Sequence, residues 1–350
     1  MKHIYFSLLA ILYLSSNSFS THFAGGNIYY DCLGNNQYKI WAEITTDCQQ
    51  FNGVPGVTLG FTNTCGISMA NIQMTNESSL QQEVSQICTK FLPLTTCAVP
   101  RIGAYPGRTK HIYSAIVTLA PCNTWTFSIG LNARNAAVTN LNNPQGTMYI
   151  ETTMNSVTDS CNNSVRYSGV QNPYVCVNAP ASYNFGGLDP DGDSLVYTLI
   201  GARSGAGVFY NYVAPYSAIN PISNIALNYS TGVMTFTPNA QGSFVIVVEV
   251  FEYDTAGNLV GTTVRDIQVV VYNCAANIAP DPNPTAFYNL RGQGVIAGPK
   301  KLEVCEGDTF CVDFVVADSN AGDTLSLWST NIAAVLPGAT LTYTGINPII

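Results

Sequence analysis

The chain has 350 residues, of which 10% are charged and 47% are hydrophobic, and its formal net charge at pH 7 is −8. An average globular protein carries roughly 25% charged residues, so uncharged polar side chains must cover much of this surface. Phosphate binding needs clustered basic residues, so the acidic balance excludes nucleic acid as an expected partner, whereas it is compatible with cation binding.

The first 20 residues have the pattern of a secretory signal peptide. Lys2 precedes the apolar stretch Ile4–Leu14, and the small residues around Ser18–Ser20 predict cleavage after Ser20. The alternative is a membrane anchor, but about eleven apolar residues are too few for a bilayer, which needs about 20. No later segment has an apolar run of that length. We therefore expect a secreted chain with no transmembrane segment in this portion.

The rest of the chain shows the signals of β-strands. Segments rich in Val, Ile, Thr, Tyr and Phe, bounded by Gly, Asn and Pro, predict strands at Asn27–Tyr30, Tyr38–Thr45, His111–Leu119, Thr124–Leu131, Leu195–Ile200, Phe244–Tyr253 and Leu259–Tyr272. The last two form the clearest hairpin, with Asp254–Asn258 as its turn. No segment has sustained helical periodicity. Many short strands with Gly and Pro turns predict an all-β fold of tandem immunoglobulin-like or cadherin-like β-sandwich modules.

One segment of the chain occurs twice. Cys176, Phe185 and Asp189 recur with the same spacing as Cys305, Phe314 and Asp318, and Tyr216–Ile222 is echoed by Tyr343–Ile349. The second copy stops before the strands of the first would be complete. We therefore expect a tandem array whose further modules follow residue 350.

These patterns divide the chain into five predicted parts. They are a signal peptide at 1–20, a cysteine-rich all-β domain at 21–165, an immunoglobulin-like or cadherin-like module at 166–274, a Pro-rich linker at 275–284, and a truncated second module at 285–350. The Pro-rich linker is expected to act as a stiff spacer.

The repeated segment contains an acidic loop that predicts a Ca²⁺ site. Asp189, Asp191 and Asp193 alternate along the loop and place three carboxylates around one point, while Gly192 allows a tight turn. Hard oxygen ligands of this kind suit Ca²⁺. An EF-hand is excluded, because its twelfth position is Ile200 here instead of Glu. The alternative is a turn in which the Asp side chains bond their own backbone.

Other acidic residues are candidates to complete this site. The possible completing ligands in the first copy are Glu252, Asp254 and Asp266. The second copy offers Asp318, Asn320 and Asp323, which include fewer carboxylates and follow a one-residue insertion. The prediction is therefore stronger for the first loop than for the second.

The chain has 11 cysteines, all beyond the signal peptide, which predicts disulfide bonds in an oxidising compartment. No Cys-x-x-Cys or Cys/His spacing typical of zinc occurs. Local pairing predicts the bonds Cys32–Cys48, Cys161–Cys176 and Cys305–Cys311, although spacing alone does not establish connectivity. An odd count leaves one cysteine without a partner in this chain.

No catalytic motif is recognisable in the sequence. The histidines after the signal peptide, His22 and His111, lie in no nucleophile or metal motif, and His111 is expected to be structural. Glu249 and Glu252 could be a glycosidase pair, but their odd spacing places them on opposite faces of a strand. A cross-strand ion pair with Arg265 is the simpler expectation for one of them. We therefore expect a protein that is not an enzyme.

Several short segments together resemble a known family. Thr21–Tyr30, Asp47–Cys48, Cys161–Ser164, Asp189–Leu195 and Thr263–Gln268 resemble the N-terminal region of large secreted surface proteins of Bacteroidota, over roughly residues 21–274. Those proteins carry PKD or other immunoglobulin-like repeats and end in a gliding-motility-associated C-terminal sorting domain. The resemblance implies Sec export, type IX secretion and a role at the cell surface.

The expected function is that of a non-enzymatic cell-surface adhesin or structural array, stiffened by Ca²⁺ and linked to gliding or surface attachment. Its partners would be extracellular glycans or proteins. The alternative is an accessory polysaccharide-binding front end of an extracellular hydrolase whose catalytic domain follows residue 350. A second alternative is that the first domain is itself a catalytic unit of an unfamiliar type.

Overall fold

The computed structural model describes residues 23–48, 56–78, 82–87, 89–100, 103–274, 281–282, 287–298, 301–305, 307–314 and 316–317. The predicted signal peptide and the second acidic loop, with Asp318, Asn320 and Asp323, lie outside these residues. Within them the regular elements are β-strands and one short 3₁₀-helix, and the sheets are mainly antiparallel. The predicted all-β, β-sandwich fold class is confirmed.

The first part of the chain contains nine strands. They are β1 (Phe23–Gly34), β2 (Gln37–Asp47), β3 (Thr58–Asn63), β4 (Ile72–Gln73), β5 (Thr75–Asn76), β6 (Gln82–Glu83), β7 (Arg108–Thr118), β8 (Trp125–Leu131) and β9 (Met148–Met154), with the 3₁₀-helix at Thr89–Leu94 between β6 and β7.

The middle part of the chain contains the next strands. They are β10 (Arg166–Tyr167), β11 (Tyr174–Cys176), β12 (Ala181–Asn184), β13 (Gly187–Leu188), β14 (Ser194–Ile200), β15 (Arg203–Gly205), β16 (Val208–Phe209), β17 (Ala226–Leu227), β18 (Val233–Phe236), β19 (Gly242–Tyr253) and β20 (Leu259–Tyr272). The last described part contains β21 (Asp281–Pro282), β22 (Tyr288–Gly292), β23 (Val295–Gly298), β24 (Lys301–Glu303), β25 (Phe310–Asp313) and β26 (Val316–Ala317).

Every strand predicted from the sequence is present, most of them longer at one or both ends. The predicted hairpin is β19–β20, and its turn is closed by a hydrogen bond from the Asp254 N–H to the Asn258 carbonyl oxygen (3.0 Å). Gly257 has a φ of 82° in this turn, a conformation that glycine adopts without steric cost. Local turn chemistry was therefore sufficient to predict this hairpin.

The first core lies between two groups of strands, β1–β2–β7 and β3–β8–β9. On β8 and β9 buried residues alternate with half-exposed ones, the period expected of a strand with one face against a core. The largest side chains of this core include Tyr30, Tyr38, Trp125 and Phe127. A sandwich of this kind buries the inward residues and leaves the outer face of each sheet to solvent.

Strand β20 joins the first part of the chain to the middle part. One edge of β20 pairs with β19 along most of its length, and the other edge pairs in turn with β9, β1 and β11. The result is one 13-stranded sheet that runs through both parts. The boundary predicted at residue 165 falls between β9 and β10 and does not interrupt this sheet. Both faces of β19 and β20 are covered, so nearly all of their residues are buried, including the polar residues Arg265, Asp266 and Gln268 of β20.

Four disulfide bonds connect distant parts of the chain. They are Cys32–Cys161, Cys48–Cys97, Cys65–Cys122 and Cys176–Cys274. The predicted pairs Cys32–Cys48 and Cys161–Cys176 are wrong. Cys32 lies near the β1–β2 turn, whereas Cys48 follows the far end of β2, roughly 30 Å away at about 3.3 Å per residue.

The predicted Cys305–Cys311 bond is also wrong. Both cysteines are exposed and free within the described residues, and the Cys311 Sγ accepts a hydrogen bond from Arg291. Cys88 lies outside the described residues. Four disulfides nonetheless support the predicted oxidising compartment. The described residues also include no helix long and apolar enough to cross a membrane.

Candidate metal centre

The acidic loop connects β13 to β14 and forms a tight turn around one side chain. The backbone N–H groups of Asp191 and Asp193 donate to Oδ1 of Asp189, at 2.9 and 3.0 Å. Gly192 has a φ of 84°, in the left-handed region that a tight turn here requires. One oxygen of Asp189 therefore bonds its own backbone, as the turn alternative predicts.

The other carboxylate oxygens of the loop are not accounted for by that turn. Asp189 is only 9% exposed, and its Oδ2 is buried without a hydrogen-bond partner among the described residues, as is Oδ2 of Asp193. Burial raises the pKa of Asp189, and burial together with the Asp189 charge raises the pKa of Asp193 to about 6. Buried carboxylate oxygens without a partner are unfavourable, so this loop is suited to an added positive ligand.

Glu252, near the end of β19, is a fourth carboxylate in the same cluster. It is fully buried, its Oε1 accepts a hydrogen bond from the Val165 N–H (3.0 Å), and its Oε2 accepts one from Nδ2 of Asn162 (3.2 Å). Burial raises the pKa of Glu252 to about 8. The hydrogen bond from Val165 lowers this pKa in part, and the negative charge of Asp189 raises it. The structure thus brings together Glu252 and the loop, as the sequence suggested.

Two asparagines from the preceding part of the chain complete the cluster. Asn162 is fully buried, and its Nδ2 also donates to the Tyr30 hydroxyl (3.0 Å), while its Oδ1 has no hydrogen-bond partner among the described residues. Asn163 donates to Asp191 from its backbone N–H (2.6 Å) and from Nδ2 (2.9 Å). Neither asparagine was predicted from the sequence to lie at this site. The signal was their position directly after Cys161, whose disulfide to Cys32 holds this segment against β1.

The other two predicted completing ligands are occupied elsewhere. Asp254 accepts hydrogen bonds from the Ala256 and Asn258 N–H groups and from the Asn258 side chain, which lowers its pKa. Both oxygens of Asp266 accept hydrogen bonds from Arg134, at 2.9 and 2.7 Å, in a fully buried ion pair. The prediction that Asp266 completes the acidic loop is therefore wrong.

The chemistry of the cluster fits a hard cation. Its donors are carboxylate and amide oxygens with no His or Cys, the ligand set that Ca²⁺ prefers and zinc does not. No group of three or more His, Cys, Asp or Glu side chains in the described part of the chain is already arranged to hold a metal ion. Binding would therefore require the free oxygens of the loop to turn toward one point.

The protonation of Glu252 leads to a testable prediction. The ordinary pKa of Glu is 4.5 and that of buried Glu252 is about 8, so between these values the folded state holds a proton that the unfolded state has lost. Without a cation, stability should therefore fall as pH rises from about 5 to about 8, by at most about 1.4 kcal/mol per pH unit for this group.

Urea denaturation of the full chain in EDTA, at several pH values in that window, measures this slope. The Glu252→Gln variant should lose the part of the slope that lies between pH 6 and 8, where Asp193 contributes least. The exposed Glu303→Gln variant is the matched control and should keep it. An unchanged slope in Glu252→Gln would show that Glu252 is not the group that holds the proton.

The remaining ionisable candidates have structural contacts. Glu249 and Glu151 both form ion pairs with Arg203 on the face of β19 opposite Glu252, so Glu249 and Glu252 do not face one another. We expected Arg265 to form an ion pair with Glu249 or Glu252, but its contacts are with other groups. It lies over the Tyr167 ring (4.4 Å) and donates to backbone carbonyl groups.

His111 is buried in the first core and faces threonine hydroxyls. Its Nε2 lies 3.1 Å from Oγ1 of Thr46, and burial lowers its pKa to about 4. At neutral pH the imidazole is therefore uncharged and packed within the sheet, in agreement with a structural role.

Comparisons with known proteins do not supply a function. No protein-family model matches the chain, and no curated protein matches it in sequence. The resemblance to Bacteroidota surface proteins therefore stays a prediction.

Proposed function

We propose that this chain is a non-enzymatic, exported adhesin or structural surface protein whose β-sandwich units are stiffened by Ca²⁺ where they meet. Four disulfides, an all-β fold and a surface with few charges support a role outside the cytosol in which mechanical stability matters more than catalysis. Its partners would be extracellular glycans or proteins, in the surface attachment or gliding that the family resemblance implies.

The observation that carries the proposal is the position of the acidic cluster. Asp189, Asp191 and Asp193 follow β13, whereas Asn162 and Asn163 lie in the segment that leads out of the first sandwich. The contacts Asn163–Asp191 and Asn162–Glu252 already connect the two. A cation held by this cluster would therefore fix the path of the chain from one sandwich to the next.

The residues of the chain have separate tasks in this mechanism. Asp189 shapes the loop through its Oδ1 and presents its free Oδ2, while Asp191 holds Asn163 in place. Glu252 and Asp193 are disfavoured as anions in the absence of a positive charge, which their raised pKa values express. Bound Ca²⁺ would supply that charge and replace the protons. The cost of burying the carboxylates of Asp189 and Glu252 then becomes a preference for the cation-bound, stiff state.

The melting temperature of the full chain with excess Ca²⁺ and with EDTA tests the proposal. A ligand at 100 times its dissociation constant stabilises the folded state by about 2.7 kcal/mol. For a unit of this size that is a shift of roughly 5–10 °C. We expect the Asp189→Asn, Asp193→Asn double variant to lose the shift, because it removes the two oxygens without a hydrogen-bond partner.

The matched control is Asp254→Asn. Asp254 is an acidic residue close enough to raise the pKa of Asp193, but its own oxygens are occupied by the β19–β20 turn. This variant should keep most of the Ca²⁺ shift. Equal melting temperatures in Ca²⁺ and EDTA, or a shift that survives in the double variant, would refute the Ca²⁺-stiffened junction.

A further inference from the structure

The outer face of β1, β2 and β7 carries an aromatic pair that no core requires. Tyr29 and Trp41 are direct cross-strand neighbours, and their rings are nearly parallel (14°) with centroids 6.1 Å apart. Both side chains are half-exposed, whereas Trp125 is buried in the first core. The next residue across the sheet from Trp41 is Ser114, which is buried and whose hydroxyl donates a hydrogen bond to Glu77.

The charges around this pair compensate one another. Three acidic residues and three basic residues surround the rings, and each acid pairs with one base, in the ion pairs Asp31–Arg166, Glu43–Lys110 and Glu77–Lys39. The whole chain has a formal net charge of −8, whereas the six charged groups of this area sum to zero. Such an area attracts neither anions nor cations over a distance, but it offers many hydrogen-bond donors and acceptors.

The polar groups at the rings are held in place. The Trp41 indole N–H donates to Oδ2 of Asp31 (2.8 Å), which orients the indole on the sheet. The Tyr29 hydroxyl is a neutral donor at physiological pH, as for an ordinary tyrosine, and burial raises its pKa further. The area therefore combines a fixed aromatic surface with directional polar groups, which is the composition of sites that bind ligands with both apolar and hydroxyl faces.

From these features we infer that the outer face of β1–β2–β7 binds a neutral polysaccharide, with a sugar ring stacked on Trp41. This inference rests on the proposed adhesive function and names its ligand class. A pyranose ring has an apolar C–H face that packs on an aromatic ring and hydroxyl groups at its edge that bond to carboxylates and basic groups. A charged polysaccharide would gain nothing from a face whose charges are already paired.

Lys39 controls access to this position. Its Nζ lies 3.9 Å from the centre of the Trp41 ring, where the sugar would stack, and its ion pair with Glu77 is long (3.9 Å) and partly exposed. An exposed ion pair of this kind is weak, so a ligand can displace the ammonium group at little cost. Removing the Lys39 side chain should therefore strengthen binding, a result that a purely structural Tyr29–Trp41 pair does not predict.

Affinity electrophoresis of the full chain tests the inference. Gels containing laminarin, hydroxyethyl cellulose or mannan serve as neutral probes, and an alginate gel serves as the acidic one. We expect retardation by at least one neutral polysaccharide and none by alginate. Trp41→Ala should weaken that binding about tenfold or more, as expected for an aromatic anchor. Trp41→Phe should weaken it less, and Lys39→Ala should strengthen it.

Val208→Ala is the matched control, because Val208 is an apolar residue of β16, outside the β1–β2–β7 face, and is 56% exposed. It should leave the binding unchanged within about twofold, because it lies outside the proposed site. The inference is overturned if none of the neutral gels retards the chain, if only alginate does, if Trp41→Ala binds normally, or if Lys39→Ala binds more weakly. Trp41→Phe and Lys39→Ala keep the test decisive should Trp41→Ala not fold. The Ca²⁺ melting experiment is separate, so failure here is distinguishable from failure of the stiffened junction.

Discussion

Replacing Asp266 by Ala should destabilise the folded chain by about 3–5 kcal/mol, the usual cost of leaving a buried charge without its partner. Arg134 and Asp266 are both fully buried, and the guanidinium donates two hydrogen bonds to the carboxylate. Arg134 also lies against the Tyr210 ring, and its site gives the orphaned cation no route to water. Urea denaturation of the variant and the parent chain measures the difference.

Two further variants show whether the effect comes from the lost charge pair. Arg166→Ala removes one partner of a more exposed ion pair, and it should change stability by at most about 1 kcal/mol. The double variant Arg134→Met, Asp266→Leu removes both charges and should recover most of the loss, since it leaves no unpaired charge. If the Asp266→Ala chain is as stable as the Arg166→Ala chain, the pair does not hold the sheet at β20.

Removing the disulfide Cys176–Cys274, by changing both residues to Ser, should lower stability by about 4–5 kcal/mol in the chain-entropy model. The bond closes a loop with a sequence separation of 98 residues, from the end of β11 to the residues after β20. Without it the unfolded chain gains freedom, while in the folded chain β11 is attached to the end of β20 by a parallel pairing of three residues. Denaturant unfolding under non-reducing conditions measures the loss.

The control for this experiment is the Cys305→Ser, Cys311→Ser variant. Neither cysteine is bonded in the described residues, so the same number of substitutions should leave stability unchanged within about 0.5 kcal/mol. A large loss in this control would indicate that these two cysteines form a bond after all. A loss below about 1 kcal/mol for Cys176→Ser, Cys274→Ser would contradict the stapling role of that disulfide.

The strands could be predicted because their signals are local. Alternating burial on β8 follows directly from its alternating residue types, and the β19–β20 turn follows from Asp254 and Gly257. Each of these signals is contained in a window of a few residues, the range over which backbone propensity and turn chemistry act. The oxygen-rich character of the acidic loop is local in the same sense.

The pairings could not be predicted because they depend on which strands become neighbours. Cys32 bonds with Cys161, at a sequence separation of 129 residues, since β1 places its end beside the segment that leaves the first sandwich. Arg265 was expected beside a glutamate on the neighbouring strand, but it lies over Tyr167 and bonds to carbonyl groups. No feature of residues 263–268 indicates this choice.

The sequence by itself determined the all-β class, the positions of seven strands and the acidic character of the loop at Asp189–Asp193, because each depends on short-range periodicity and residue chemistry. The tertiary structure alone decided that β20 would be shared by both parts of the chain, that Asp266 would pair with Arg134, and that Asn162 would meet Glu252 across a sequence separation of 90 residues. Those contacts arise only when strand pairing and core packing bring distant segments together, and no local pattern in the chain encodes the neighbour that a side chain will find.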